Sequence, residues 1–146
     1  MQRIENYVNL EFLSRSSNEG FARVAAAGFA AQLDPTLDEL GDIKTAVSEA
    51  VTNAIVHGYP DQLGRIVVKL KLLENNTLEI TVRDWGAGIE NIQQARQPMF
   101  TTGGEERSGM GFTIMESFMD KLVVKSVPGR GTTVTMRKRI SPRMKR

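Results

Sequence analysis

Hydrophobic and polar residues change rhythm several times along the chain, and each change marks an element. Residues 6 to 13, NYVNLEFL, alternate apolar and polar side chains, which is the two-residue period of a half-buried strand. In SRSSNEGFARVAAAGFAAQL the period lengthens. That predicts a helix, capped by Ser or Asn, that turns Phe21, Val24, Phe29 and Leu33 toward the core. Pro35 in LDPTLDEL breaks the helix, and Thr36 followed by Glu39 has the spacing of a capping box, so a second helix begins there. Leu40, Ile43, Val47, Val51 and Ala54 give this helix one apolar stripe. Gly58, shortly before Pro60, suits its C-terminal stop.

RIVVKLKLLE and NTLEITVRD are β-rich stretches joined by ENN, the pattern of an antiparallel hairpin. DWGAGI then interrupts the alternation. Residues 90 to 97 predict a short helix, and 98 to 108, PMFTTGGEERS, lack periodicity and read as a mobile loop. GMGFTIMESFMDKL reads as a helix opening on two glycines, and VVKSVPGRGTTVTMRKR as a final hairpin turning at Pro128 to Gly131. Met99, Met110, Met115 and Met119 flank the loop and this helix, where adaptable methionines suit core or pocket lining. The expected architecture is α+β: a two-layer α/β sandwich with a mixed, mostly antiparallel sheet and helices on one face.

Composition narrows this picture. With 146 residues and 40% hydrophobic content the chain fits one domain, placed at residues 1–139. Cysteine is absent, which excludes disulfides, thiolate metal sites and cysteine nucleophiles. No apolar run reaches the roughly 18 to 20 residues of a membrane span, and MQRIENYVNL lacks the pattern of a signal peptide, so a cytoplasmic protein without membrane contact is expected. The net charge of +2 arises at one end: residues 137–146 carry six of the 19 basic side chains, leaving 13 against 17 acids upstream. A mildly acidic body gives no reason to expect direct nucleic-acid binding, and residues 140–146 read as a basic, disordered tail.

Three stretches can carry chemistry. Glu49, Asn53 and His57 follow at four-residue intervals, so they form one polar row on the second helix, either a solvated face or part of a site. Asp84-Trp85-Gly86-Ala87-Gly88 leaves a strand with one carboxylate acceptor and two positions of close backbone approach, either plain turn chemistry or a wall for a flat ligand such as adenine. Arg107-Ser108-Gly109-Met110-Gly111 opens a helix, where unpaired N–H groups favour phosphate oxygens unless the glycines simply make a turn. The chain has no GxxxxGK[ST] motif and does not complete GxGxxG, which disfavours P-loop and dinucleotide folds.

In this order and separation the three stretches resemble the boxes of the GHKL ATP-binding superfamily, the Bergerat fold of gyrase-type, chaperone and mismatch-repair ATPases and of histidine-kinase catalytic domains. Glu49-xxx-Asn53 resembles the N box, Asp84-x-Gly86-x-Gly88 and Gly109-x-Gly111 the two glycine boxes, and Gly131-Thr132 the strand that helps hold adenine. Within the superfamily, DELGDIKTAVSEAVTNAIVHGY and QARQPMFTTGGEERSGMGFTIMESFMD are similar to the bacterial anti-sigma serine-protein kinases over about residues 8 to 138. LDPT, RQPMFTT and ERSGMGFTIM look most like the anti-sigma F group of endospore formers. The GGEE between Thr102 and Arg107 departs from the family pattern, being shorter and richer in glycine.

The resemblance implies ATP and Mg²⁺ as cofactors, Asn53 as metal ligand and Glu49 as general base toward a serine hydroxyl. It implies ATP contacts at Asn53, Asp84, Gly86, Gly88, Thr101, Thr102, Arg107, Ser108, Gly109, Met110, Gly111 and Thr132, and a partner contact at Arg23. His57 is taken as structural and Trp85 is placed near the pocket mouth. The implied protein is a homodimeric anti-sigma factor that sequesters a sporulation sigma factor, sigma F, and phosphorylates its anti-anti-sigma partner. The alternatives are a nucleotide-gated sigma-factor trap without kinase activity and the related stress-response anti-sigma B kinase. A stand-alone ATPase, with Glu49 orienting water, is also conceivable. A complete sensor histidine kinase is disfavoured, because the sole histidine, His57, lies inside the site helix.

Overall fold

The N-terminal alternation becomes strand β1 (Ile4–Leu13), which turns Val8, Leu10 and Phe12 inward and leaves Tyr7, Asn9 and Glu11 outside. The computed structural model describes residues 2–96 and 111–142. Within them follow α1 (Ser17–Ala30), a 3₁₀ turn (Ala31–Leu33), α2 (Leu37–Asn53), a π turn (Ala54–Gly58), β2 (Arg65–Leu73), β3 (Thr77–Asp84), α3 (Ile92–Ala95), α4 (Gly111–Phe118), β4 (Lys121–Val127) and β5 (Gly131–Arg139). The strands form one sheet in the order β1-β2-β3-β5-β4, and among the described residues every ladder is antiparallel, where a mixed, mostly antiparallel sheet was expected. Asn75 and Asn76 take the positive φ values that the tight β2–β3 turn demands.

Alternate residues of the central strands, Ile66, Val68 and Leu70 on β2, Leu78, Ile80 and Val82 on β3, Val134 and Met136 on β5, are buried under α1, α2 and α4. Each such side chain contributes ~1.5–3 kcal/mol on leaving water. A one-residue register slip would expose the whole row, so the register is strongly fixed.

The inward face of α1 differs from the expected one. Ala22, Ala26 and Ala30 are buried against α2, while Phe21 and Val24 are 58% and 67% exposed. An alanine stripe lets two helices approach closely, and the bulky residues are turned outward as a result. Phe29 and Leu33 do pack on the core. Ser16, at the N-cap, makes no side-chain capping bond; Asn18 instead donates its Nδ2 to the Leu13 carbonyl at 2.9 Å.

The capping box of α2 forms as expected. Thr36 Oγ1 accepts from the Glu39 N–H at 3.0 Å, and Glu39 Oε1 accepts from the Thr36 N–H at 2.9 Å. Burial works against the Glu39 carboxylate, but hydrogen bonds from Thr36 and Ser141 outweigh it and hold its pKa below the ordinary 4.5. Thr36→Ala removes about 1 kcal/mol, a fall of roughly 3 °C in thermal midpoint for a chain of this size, to be read by calorimetry.

The final hairpin runs to Arg139 as read from the sequence: Arg137, Lys138 and Arg139 belong to β5, with Arg137 paired to Glu79 at 3.6 Å and Lys138 to Asp42 at 3.5 Å, and the departure comes one residue later. Ile140, assigned to the tail, is fully buried and donates its N–H to the Asn76 carbonyl at 2.8 Å. A β-branched apolar side chain next to the core edge gains more by continuing the fold than by fraying.

Candidate functional site

Where α2 ends, the interior strands β3 and β5 and the start of α4 border a cavity of about 540 Å³. Asn53, His57, Asp84, Gly88, Gly111 and Thr132 stand on its wall, together with apolar side chains such as Val82 and Val134. The sequence row Glu49-Asn53-His57 is therefore divided. Asn53 and His57 face the cavity, whereas Glu49 lines a second groove of about 460 Å³ beside α1 that also holds Arg23, Lys44, Thr45 and Ser48.

Gly111 shows how near the two compartments lie. A Cβ at Gly111 would stand 3.1 Å from Asn53 Nδ2, 3.2 Å from Asn53 Oδ1 and 3.4 Å from Glu49 Oε1. Both polar residues thus meet the first residue of α4, and the N-terminal end of a helix favours anionic ligands.

Asp84 ends β3 and is only 5% exposed. Burial raises its pKa above the ordinary 3.8, against hydrogen bonds from the Gly86 and Thr132 backbone N–H groups, of which Gly86 N to Oδ1 spans 2.9 Å. An acceptor carboxylate is therefore fixed by backbone donors on a wall that also carries the apolar Val82 and Val134. The turn after it is wedged tightly. A Cβ on Gly86 would lie 1.9 Å from the Gly58 carbonyl oxygen, which accepts from the Ala87 N–H at 2.8 Å. Gly88 has φ 77°, and a Cβ there would meet the Val127 carbonyl oxygen at 2.3 Å. Close approach explains Gly58 as well: it does not adopt the left-handed stop conformation expected of it, and a Cβ would lie 2.9 Å from Asp84 Cγ.

Thr132 is the register partner of Asp84 across β3 and β5, and its Oγ1 lies 2.8 Å from Ser126 Oγ. Ser126 also accepts from the Ile89 N–H at 2.7 Å, tying the turn to the β4–β5 hairpin. Sequence reading missed Ser126, although pairing the two arms of the final hairpin puts it opposite Thr132. It also missed Asn91 and Gln94 on the cavity wall, where Asn91 caps α3.

Trp85 is not at the cavity. The alternation of β3 turns Asp84 inward and Trp85 to the other face, where its ring lies 3.9 Å from the Arg65 guanidinium and 4.6 Å from that of Arg83. Arg23 is 45% exposed and pairs with Glu19 at 3.6 Å. Met115 and Met119 are buried in the core. Met99, Thr101, Thr102, Arg107, Ser108, Gly109 and Met110 lie outside the described residues. Among the described residues, no cluster of three or more acidic or histidine side chains could hold a metal alone, and no helix is long and apolar enough to cross a membrane.

The family described as Histidine kinase-like ATPase domain matches residues 14–138. An anti-sigma F factor of Geobacillus thermodenitrificans is 58% identical over 139 residues, 94% of this chain and 95% of that one. An anti-sigma F factor of a Thermoanaerobacter species is 57% identical over 136 residues, 92% and 94% of the two chains. Among solved structures, the RsbU and RsbW domains of Rv1364c from Mycobacterium tuberculosis superpose with a TM-score of 0.66 at 21% identity, over 92% of this chain and 32% of that one. A blue-light activated histidine kinase of Erythrobacter litoralis gives 0.59 at 21% identity, over 80% and 40%. At such identities the two structures speak for the fold.

Proposed function

The chain belongs to the histidine kinase-like ATPase family, among the anti-sigma F factors, and on that premise we propose that it is an anti-sigma factor and Mg²⁺-ATP-dependent serine kinase. In this reading it inhibits a sporulation sigma factor, sigma F, and inactivates its anti-anti-sigma partner by phosphorylating a serine. It acts as a homodimer in the cytoplasm.

One observation carries the reading. Glu49 borders the groove beside α1, Asn53 borders the cavity, and both meet Gly111 from consecutive turns of α2. A nucleotide in the cavity and a protein segment in the groove would converge on that junction. Adenine would set its amino group on Asp84, beside Thr132 and against Gly86 and Gly88. The phosphates would lie toward Asn53 and the start of α4, with Thr101, Thr102, Arg107, Ser108, Gly109 and Met110 as further contacts from the adjoining segment.

Asn53 offers one hard oxygen from a neutral amide, which fits Mg²⁺, an ion that takes most of its ligands from phosphates and water when it accompanies a nucleotide. Bound there, the ion would neutralise phosphate charge. The chain's own part is positional. Glu49 accepts the serine proton as the hydroxyl oxygen bonds to the γ-phosphorus and the bond to the β-phosphate oxygen breaks, leaving ADP.

Arg23 lies along the same groove as Glu49 and is the proposed partner contact. Arg23→Ala is expected to weaken capture of the sigma factor and phosphorylation of the partner by about tenfold, the loss of one charge-assisted contact. Gel filtration with ATP or ADP reads the first and ADP titration serves as control. Undiminished capture and phosphorylation would remove Arg23 from the interface.

A further inference from the structure

Tyr59 follows the π turn, and its ring covers Gly64, where a Cβ would stand 2.1 Å from Tyr59 Cε1. Its hydroxyl donates to the Arg65 carbonyl at 2.7 Å and accepts from the Trp85 N–H at 2.7 Å. The β2–β3 ladder ends on the pair Ile66 and Asp84, so Arg65 and Trp85 are the next opposed residues. The hydroxyl thus stands between two backbone groups that, in a continued ladder, would bond to each other at about 2.9 Å. With the oxygen interposed both groups are satisfied at a wider separation, and β3 leaves the sheet directly after Asp84.

We infer that Tyr59 is a positioning residue for the cavity: its hydroxyl is a wedge that ends the β2–β3 ladder and sets the direction in which Asp84, Gly86 and Gly88 enter the wall. The inference rests on the nucleotide reading for its consequence but on the hydrogen bonds for its geometry. Removing the hydroxyl lets Trp85 close onto Arg65 or leaves both groups unpaired. Either outcome shifts the backbone one residue from the Asp84 carboxylate, which has little freedom of its own because the Gly86 N–H and the Thr132 backbone hold it. The Trp85 ring follows the same backbone, since Arg65 and Arg83 lie over it.

Tyr59→Phe keeps the ring over Gly64 and deletes only the wedge. Trp85 is the sole tryptophan of the chain, so its emission reports on the bend directly. The expected result is a shifted emission spectrum of the free protein and an ADP dissociation constant raised about tenfold, the size of one or two lost hydrogen bonds. A residue that merely filled space would lower the thermal midpoint and move neither. Unchanged emission together with unchanged ADP affinity would overturn the inference. Should the unmutated protein bind no ADP, the nucleotide reading fails, and the emission shift alone still decides the wedge. Should the variant fail to fold, amide exchange in the unmutated protein decides: protection of the Trp85 N–H supports the wedge, and exchange at the rate of an open loop overturns it.

Discussion

In the proposed reading, Glu49→Gln is expected to abolish phosphoryl transfer to a protein serine while ATP and ADP still bind. The substitution keeps the shape and hydrogen-bonding reach of the side chain and removes the group that takes the proton, so the loss falls on the chemical step. General-base removal costs about 10²–10⁴-fold in rate. Nucleotide affinity stays close to that of the unmutated protein, because Glu49 faces the groove and the junction at Gly111, whereas the cavity wall is made by Asn53, Asp84 and Thr132. Single-turnover transfer with labelled ATP, beside an ADP titration, checks both halves. Transfer at nearly the unmutated rate would take the base away from Glu49.

Asp84→Asn should act the opposite way, on binding and not on chemistry. In the proposed reading the carboxylate is the charged acceptor for the adenine amino group, and an amide there would turn donor hydrogens toward another donor. Loss of a charge-assisted hydrogen bond with such a mismatch is worth ~3 kcal/mol, or about 100-fold in affinity. Stability moves the other way. Because burial raises the folded pKa of Asp84 above 3.8, the folded state holds this proton longer than the unfolded chain does. The contribution is therefore fully present below 3.8 and is lost as pH rises through the folded value. At neutral pH the nucleotide-free protein carries the cost of a desolvated charge, and Asp84→Asn relieves it. The thermal midpoint of the free variant should rise near pH 7, while its gain on adding ADP disappears. A variant that binds ADP as well as the parent would displace Asp84 from the adenine wall.

The second helix was almost wholly legible, because a capping box and a regular stripe of Ile43, Val47 and Val51 agree on one face. On the first helix two faces compete, and hydrophobicity favours Phe21 and Val24 over the alanines that the close contact with α2 selects. The division of Glu49 from Asn53 also escaped the sequence. Four-residue spacing aligns the two on one side of the helix, but only the packing of α1 creates the groove that separates them. Ser126 was within reach, since pairing the arms of the final hairpin sets it opposite Thr132, but Tyr59 was not: its partners, Arg65 and Trp85, are set by strand register and by a π turn that no local pattern announces. Trp85 could have been placed by alternation alone, had β3 been followed one residue past Asp84.

Serine phosphorylation of a second protein is the central claim, and it separates a kinase from a nucleotide-gated trap most directly. The unmutated protein, γ-labelled ATP, Mg²⁺ and a purified anti-anti-sigma partner are mixed, and the label is followed. Label on a partner serine, lost when that serine is replaced by alanine and when Glu49 is replaced by glutamine, is the predicted result. Sigma-factor binding that depends on ATP but leaves the partner unlabelled, or label released only as inorganic phosphate, would contradict it.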